Sequence, residues 1–396
     1  MKPLRICFLW HQHQPYYRKE GKFILPWVRF HAIKDYLDLP SILFEFPEIK
    51  QTFNIVPSLL LQIYEYTHLG ATDRVQELSY KLPTSLSMDE KQEILKQFFV
   101  CNYQNLIAKY PRYLELHNKA NSNVEFSEQD WLDLQVWYNL AWLGHLTRQR
   151  AQFKRYFTKE KGFSQKEKEL LLDEQLKLMN EIVPVLKQLN DLNQVELSVS
   201  PFYHPILPLL CDASIAKVAL PELNLSEPIF EFPQDAEIQI YKGKQYFNEV
   251  FGFEPKGIWP SEGSLSTIVL DLMLKLDFTW TATDPKLLFR TTGIQEELVQ
   301  YFPHLYEKDD KWIALFFRDT LLSDSIGFTY HHWKPEDAVF DFVTILKGIR
   351  NRIIDRFGEE SLDIACVPII LDGENCWEYY EGNGLPFLTL LYRTIS

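Results

Sequence analysis

Two acidic residues are placed where they can do chemistry. Glu262 lies in Gly257-Ile-Trp-Pro-Ser-Glu-Gly263 and Asp284 in Trp280-Thr-Ala-Thr-Asp-Pro285, each just behind a short apolar run. Two carboxylates at close range suit cleavage of a glycosidic bond: one attacks the anomeric carbon, the other protonates the leaving oxygen and later activates water. Singly, a solvent-facing Glu and a helix-capping Asp would account for them. Their matched placement behind neighbouring strands, with aromatic flanks, favours chemistry. A second group is His11-Gln-His-Gln-Pro15. In an extended segment His11 and His13 point to one side. A neutral imidazole both donates and accepts, which suits a sugar hydroxyl. The same spacing suits a metal, given further ligands; His204, Asp319 and Asp372 are available, so both readings stand. Glu196, inside an otherwise apolar run, should be paired or functional, because burying a lone charge is costly. The segment Asp372-Gly-Glu-Asn-Cys-Trp-Glu-Tyr-Tyr380 gathers carboxylates, an amide and rings, a mixture fit for hydroxyl bonding and stacking. Trp137 and Trp142 lie in a helical stretch and read as core. No Gly-rich phosphate loop follows a strand and no GxSxG elbow occurs, which disfavours nucleotide and serine-hydrolase chemistry.

Something must hold these residues together. Seven brief apolar or β-branched runs read as strands: Leu4–Trp10, Lys50–Val56, Gln194–Val199, Lys256–Trp259, Thr279–Thr283, Trp312–Phe317 and Ile364–Leu371. Helical patterns lie between them, which implies a parallel sheet. The expected fold is α/β: a seven-stranded (β/α)7 barrel, a distorted relative of the eight-fold barrel, whose site lies at the C-terminal ends of the strands. Polar residues follow six of the seven strands: His11 and His13; Ser200 and His204; Glu262; Asp284; Arg318 and Asp319; then Asp372, Glu374 and Asn375. The long stretch between the second and third strands carries amphipathic helix at Ser87–Ile107, Asp130–His145 and Lys166–Leu189. We expect residues 70–192 to be a helical insertion within a single barrel spanning 1–396.

Composition narrows the partners. Of 396 residues 46% are apolar, enough for a large core, and 15% are aromatic, which composition alone assigns to a bulky core before stacking on pyranose faces. A net charge of −13 argues against nucleic acid and anionic membranes. Five scattered cysteines without a CxxC indicate neither a disulfide framework nor a zinc ribbon, and fit a cytoplasmic protein. The apolar run Ile6–Trp10 reads as a strand rather than a signal peptide, and no run is long enough to span a membrane.

Five ordered regions resemble glycoside hydrolase family 57: His13-Gln-Pro15; Glu196 to His204 with Pro205-Ile-Leu-Pro208; Gly257 to Glu262; Thr281-Ala-Thr-Asp284; and Asp372-Gly-Glu-Asn375 with Trp377. Asn54 and the run Arg318 to Phe328 also look like the family. The resemblance implies a retaining mechanism on α-1,4-glucans (starch, glycogen, maltodextrins), with Glu262 as nucleophile and Asp284 as acid/base. It implies substrate contacts from His13, Glu196 and Asp372, to which the residue reading adds His11, His204, Trp259, Glu374 and Trp377. It implies no metal and no cofactor. An α-amylase is the leading expectation; a 4-α-glucanotransferase or a branching or debranching enzyme is the alternative within the family. A glucan-binding protein without turnover and a metal-dependent hydrolase built on His11 and His13 are the alternatives outside it. Family members usually continue into a C-terminal helical region, which this chain is expected to lack.

Overall fold

The computed structural model describes residues 2–122, 124–225, 229–374 and 376–396. Eight strands form one sheet: β1 (Arg5–Gln12), β2 (Gln51–Ile55), β3 (Val195–Val199), β4 (Gly257–Ile258), β5 (Trp280–Thr283), β6 (His304–Lys308), β7 (Lys311–Phe317) and β8 (Cys366–Asp372). Their order is β8-β1-β2-β3-β4-β5-β7-β6. All neighbours run parallel except β6, which pairs antiparallel with β7. Each of the seven expected strands is present, so for this sheet the expectation fell one strand short; a separate antiparallel ribbon, Arg18–Lys19 with Lys22–Phe23, was not expected either. The eighth is joined to β7 by Asp309 and Asp310, both at positive φ (49° and 62°), the backbone that two-residue hairpin turns require.

The sheet curls. Leu9 of β1, Ala282 of β5 and Ile370 of β8 share one inner cluster with Trp259, although β1 and β5 stand four places apart in the order. Between β7 and β8 the ladder is open. The segment after β7 spans that gap: Asp319 N donates to Pro368 O at 2.7 Å, Arg318 Nε to Ile370 O at 2.7 Å, and Ser323 Oγ accepts from Ile370 N at 3.1 Å. Alternation along β1 sends Leu9 and His11 inward, and Phe8 and Trp10 outward into the main core beneath the helices.

Between β2 and β3 the described chain is helical. The stretch Lys166–Leu189, expected as one helix, is two: Gln165–Met179 and Ile182–Asp191. Pro184 has no N–H and is tolerated only in a first turn, so the second helix starts just before it. Ser127 and Ser164 open their helices with reciprocal capping boxes. Trp137 and Trp142 are buried, as expected.

Candidate active site

The turn after β4 aims Glu262. Glu262 takes φ 55°, ψ 23°, a left-handed conformation that costs a non-glycine residue about 1–2 kcal/mol. Gly263 follows at φ 65°, and a Cβ there would come within 3.1 Å of the Trp259 ring, so the turn folds flat under that indole. Thr283 Oγ1 donates to Gly263 O at 2.6 Å. One bond thus links the residue after Glu262 to the residue before Asp284. Asp284 ends β5 and caps the helix Pro285–Thr292, its Oδ1 accepting from Lys286 N at 2.8 Å.

Both carboxylates line one cavity of ≈ 570 Å³ at the C-terminal rim, together with His11, Trp259, Arg318 and Asp372. Phe328, His331 and Tyr379 complete its mouth. Sequence reasoning did not single out these three. Phe328 and Tyr379 lay within segments already marked, whereas the His331-His332 pair carried no strand-end signal. A larger cavity of ≈ 920 Å³ opens at the other end of the strands. Parallel barrels place chemistry at the C-terminal end, where strand ends converge, and the smaller cavity is the one that holds the pair.

Beside the pair stand three imidazoles. His11 is buried, and its ring centroid lies 4.8 Å from that of His204; His13 and His204 are 4.2 Å apart. Asn54 fixes the orientation of His11. The Asn54 amide donates to Val199 O at 2.8 Å and Ser198 Oγ at 3.1 Å, so its Oδ1 faces His11 Nδ1 at 2.7 Å. His11 must then donate through Nδ1 and present the lone pair of Nε2. Ser200 Oγ, between Asn54 Oδ1 (2.9 Å) and Trp259 O (2.7 Å), ties this group to the Glu262 turn. Burial lowers all three imidazoles, His13 to about 3 and His204 to about 2. Their nitrogen atoms lie within 4.8 Å of one another, a metal-compatible cluster that the family resemblance had not implied.

Other expected site residues stand elsewhere. Glu196 is the second residue of β3 and lines the cavity at the strands' N-terminal ends, where its Oε1 accepts from Trp280 Nε1 at 2.7 Å. Its expected partner is thus an indole, and the structure does not bring it to the carboxylate pair. Trp377 is a core ring, 2% exposed, with its Nε1 donating to Gly373 O at 2.8 Å and its face against Gly384, where a Cβ would sit 2.3 Å away. Glu374 is buried and lines a separate cavity, accepting from His13 N at 3.3 Å. Burial, reinforced by the Asp372 charge, raises it well above the usual carboxyl range. Asp319, weighed as a metal ligand, is occupied as a cap for Leu322 N and an acceptor from Tyr301 OH, both at 2.7 Å. Asn375 lies outside the described residues.

A curled, largely parallel sheet with two strand-end carboxylates in one cavity at its C-terminal rim is an arrangement compatible with a barrel glycosidase. The chain matches the family described as glycosyl hydrolase family 57 over residues 7–396. It belongs to that family and is an enzyme of the glycoside hydrolase class. Solved structures show the same fold at low identity. The GH57-type branching enzyme of Pyrococcus horikoshii aligns with a TM-score of 0.56 and 16% identity, over 99% of this chain and 68% of that one. The α-amylase AmyC of Thermotoga maritima gives 0.60 and 13%, over 100% and 71%. The 4-α-glucanotransferase of Thermococcus litoralis gives 0.51 and 15%, over 99% of this chain but 37% of that one. No curated protein sequence matches. Among the described residues no helix is long and apolar enough to cross a membrane.

Proposed function

We propose that this protein is a retaining glycosidase of α-1,4-glucans, α-amylase-like, working by double displacement. Glu262 attacks the anomeric carbon while Asp284 protonates the departing oxygen. Asp284 then deprotonates the water that releases the sugar. Retention calls for carboxyls about 5–5.5 Å apart. The observation that carries the reading is that two strand-end carboxylates line one rim cavity, their backbones joined by the Thr283–Gly263 bond. His11 and Asp372 serve the sugar hydroxyls from the same cavity, with the rings of His13 and His204 packed beside that of His11. The α-glucan class is supported by the branching enzyme, glucanotransferase and amylase that share the fold. We further infer that the seven parallel strands act as a (β/α)7 barrel with residues 70–192 inserted. Five free thiols fit a cytoplasmic site of action.

A transferase outcome has one observation in its favour: Phe328, 73% exposed, and Tyr379 stand at the cavity mouth, where rings can hold an acceptor sugar. Product chromatography on maltotriose decides. Shortening alone means hydrolysis, and a disproportionation ladder means transfer. Glu262→Gln should abolish both; if it cleaves at the wild-type rate, the assignment fails.

A further inference from the structure

Three imidazoles from two separate strand ends converge beside the catalytic cavity, with ligand atoms mutually within 4.8 Å. We propose that His11, His13 and His204 form a binding site for a borderline divalent transition metal, Zn2+ foremost, whose occupancy blocks the sugar cleft.

The donor set decides the class of cation. Three neutral nitrogens with no carboxylate oxygen among them favour Zn2+, Cu2+ or Ni2+ over Mg2+ or Ca2+. The second shell is built. A metal-bound His is normally oriented by a hydrogen bond from its other ring nitrogen. Asn54 does this for His11, itself locked by Val199 O and Ser198 Oγ, and leaves Nε2 as the coordinating atom. An independent sign comes from His204. Its Nε2 is buried with no hydrogen-bond partner among the described residues, an arrangement that leaves a polar atom unsatisfied unless something enters. His204 is also held at φ 56°, a strained backbone conformation for a non-glycine residue. Tetrahedral zinc with bonds of about 2.0–2.1 Å places its nitrogens roughly 3.3 Å apart, so the widest pair, within 4.8 Å, closes by at most about 1.5 Å. His13 and His204 are half-buried and have room to turn. Three protein ligands leave a coordination position open. His11 lines the cavity that holds Glu262, so a cation on this ring, with its water, stands where the sugar must enter. The nearby charges of Asp372 and Glu262 favour a cation there.

The blocking step rests on the glycosidase reading; the binding step does not. The test therefore uses binding first. The full chain, stripped with a chelator, is titrated calorimetrically with ZnCl2, and separately with Co2+ while its visible absorption is followed. One saturable equivalent is expected, with a Co2+ spectrum of a low-coordinate nitrogen site. His204→Ala and His13→Ala should each weaken Zn2+ binding by at least about tenfold, since each removes one of three ligands. The exposed His68→Ala should bind as wild type. Half-exposed His13 keeps the test decisive if the His204 variant does not fold. No saturable binding, or equal binding in wild type and His13→Ala, overturns the proposal. Zinc should then abolish maltotriose cleavage, with recovery on chelation. Cleavage undiminished when the site is saturated with Zn2+ overturns the blocking step. A protein that binds zinc as stated but never cleaves maltotriose refutes the glycosidase reading alone.

Discussion

Two polar clusters of this molecule are built on opposite terms. In the helical region, Arg112 donates to Asp133 at 2.9 Å, Asp130 at 2.7 Å and Glu115 at 2.8 Å. Lys119 reaches Asp130 at 2.6 Å, and the backbone N–H groups of Gly162 and Phe163 both donate to Asp133 Oδ1 at 3.1 Å. Every donor of the cluster meets an acceptor. At the sheet rim, three imidazoles crowd together, and among the described residues His204 Nε2 and Ser261 Oγ, beside Glu262, are buried with no hydrogen-bond partner. In the Arg112 cluster, which holds helices together, the charged groups are matched by partners. Where polar groups wait for a ligand, they are positioned but left incomplete. Such incompleteness costs stability unless something outside the chain supplies the missing partner.

The comparison can be broken at either end. The largest effect belongs to the rim. Asp284→Asn keeps the helix cap, because Asn caps as well as Asp, but removes the proton donor. Turnover of maltotriose should fall about 10²–10⁴-fold, the usual worth of a general acid, with Tm unchanged. Full activity in this variant would reduce Asp284 to its capping role. Next comes the saturated cluster. Asp133→Ala leaves Arg112 and two backbone donors short of an acceptor. Stability in urea should drop by about 3–5 kcal/mol, while kcat on the folded fraction stays constant; a loss of kcat without destabilisation would invert the contrast. The smallest effect sits between the two. The carboxyl of Glu374 is raised in the folded state, so the native protein holds a proton that the unfolded chain releases. Stability therefore falls as pH rises above the ordinary value of 4.5. Glu374→Gln should flatten that decline and raise Tm at neutral pH. An unchanged slope of Tm against pH would show Glu374 ionised.

The sequence disclosed unequal parts of this arrangement. The seven parallel strands were legible because each carries a short apolar run, most of them largely buried. Strand β6 was not: His-Leu-Tyr-Glu-Lys is a half-exposed edge strand whose polar side chains mask the pattern. Glu262, Asp284 and His11 were legible because they follow strands, and a strand's C-terminal end is readable from chain direction. Glu196 misled for the complementary reason. An acid within a strand could serve either end, and its place at the second residue of β3 sends it to the far cavity. Trp377 shared a segment with Asp372, but a short run does not reveal which of its rings turns back into the core. Gly384, whose missing side chain admits that indole, was the only local sign. Asn54 resembled the family, yet its work, fixing the His11 tautomer, appears only when β1 and β2 pair His11 with Asn54.

The central claim is that Glu262 forms a covalent bond to sugar. Incubation with an activated fluorinated α-maltosyl fluoride, which forms the intermediate quickly and releases it slowly, followed by intact-mass measurement and peptide mapping, reads that bond directly. The account predicts one maltosyl adduct per chain, carried on Glu262 and absent in Glu262→Gln. A label on Asp284, or an adduct that persists in Glu262→Gln, would contradict it.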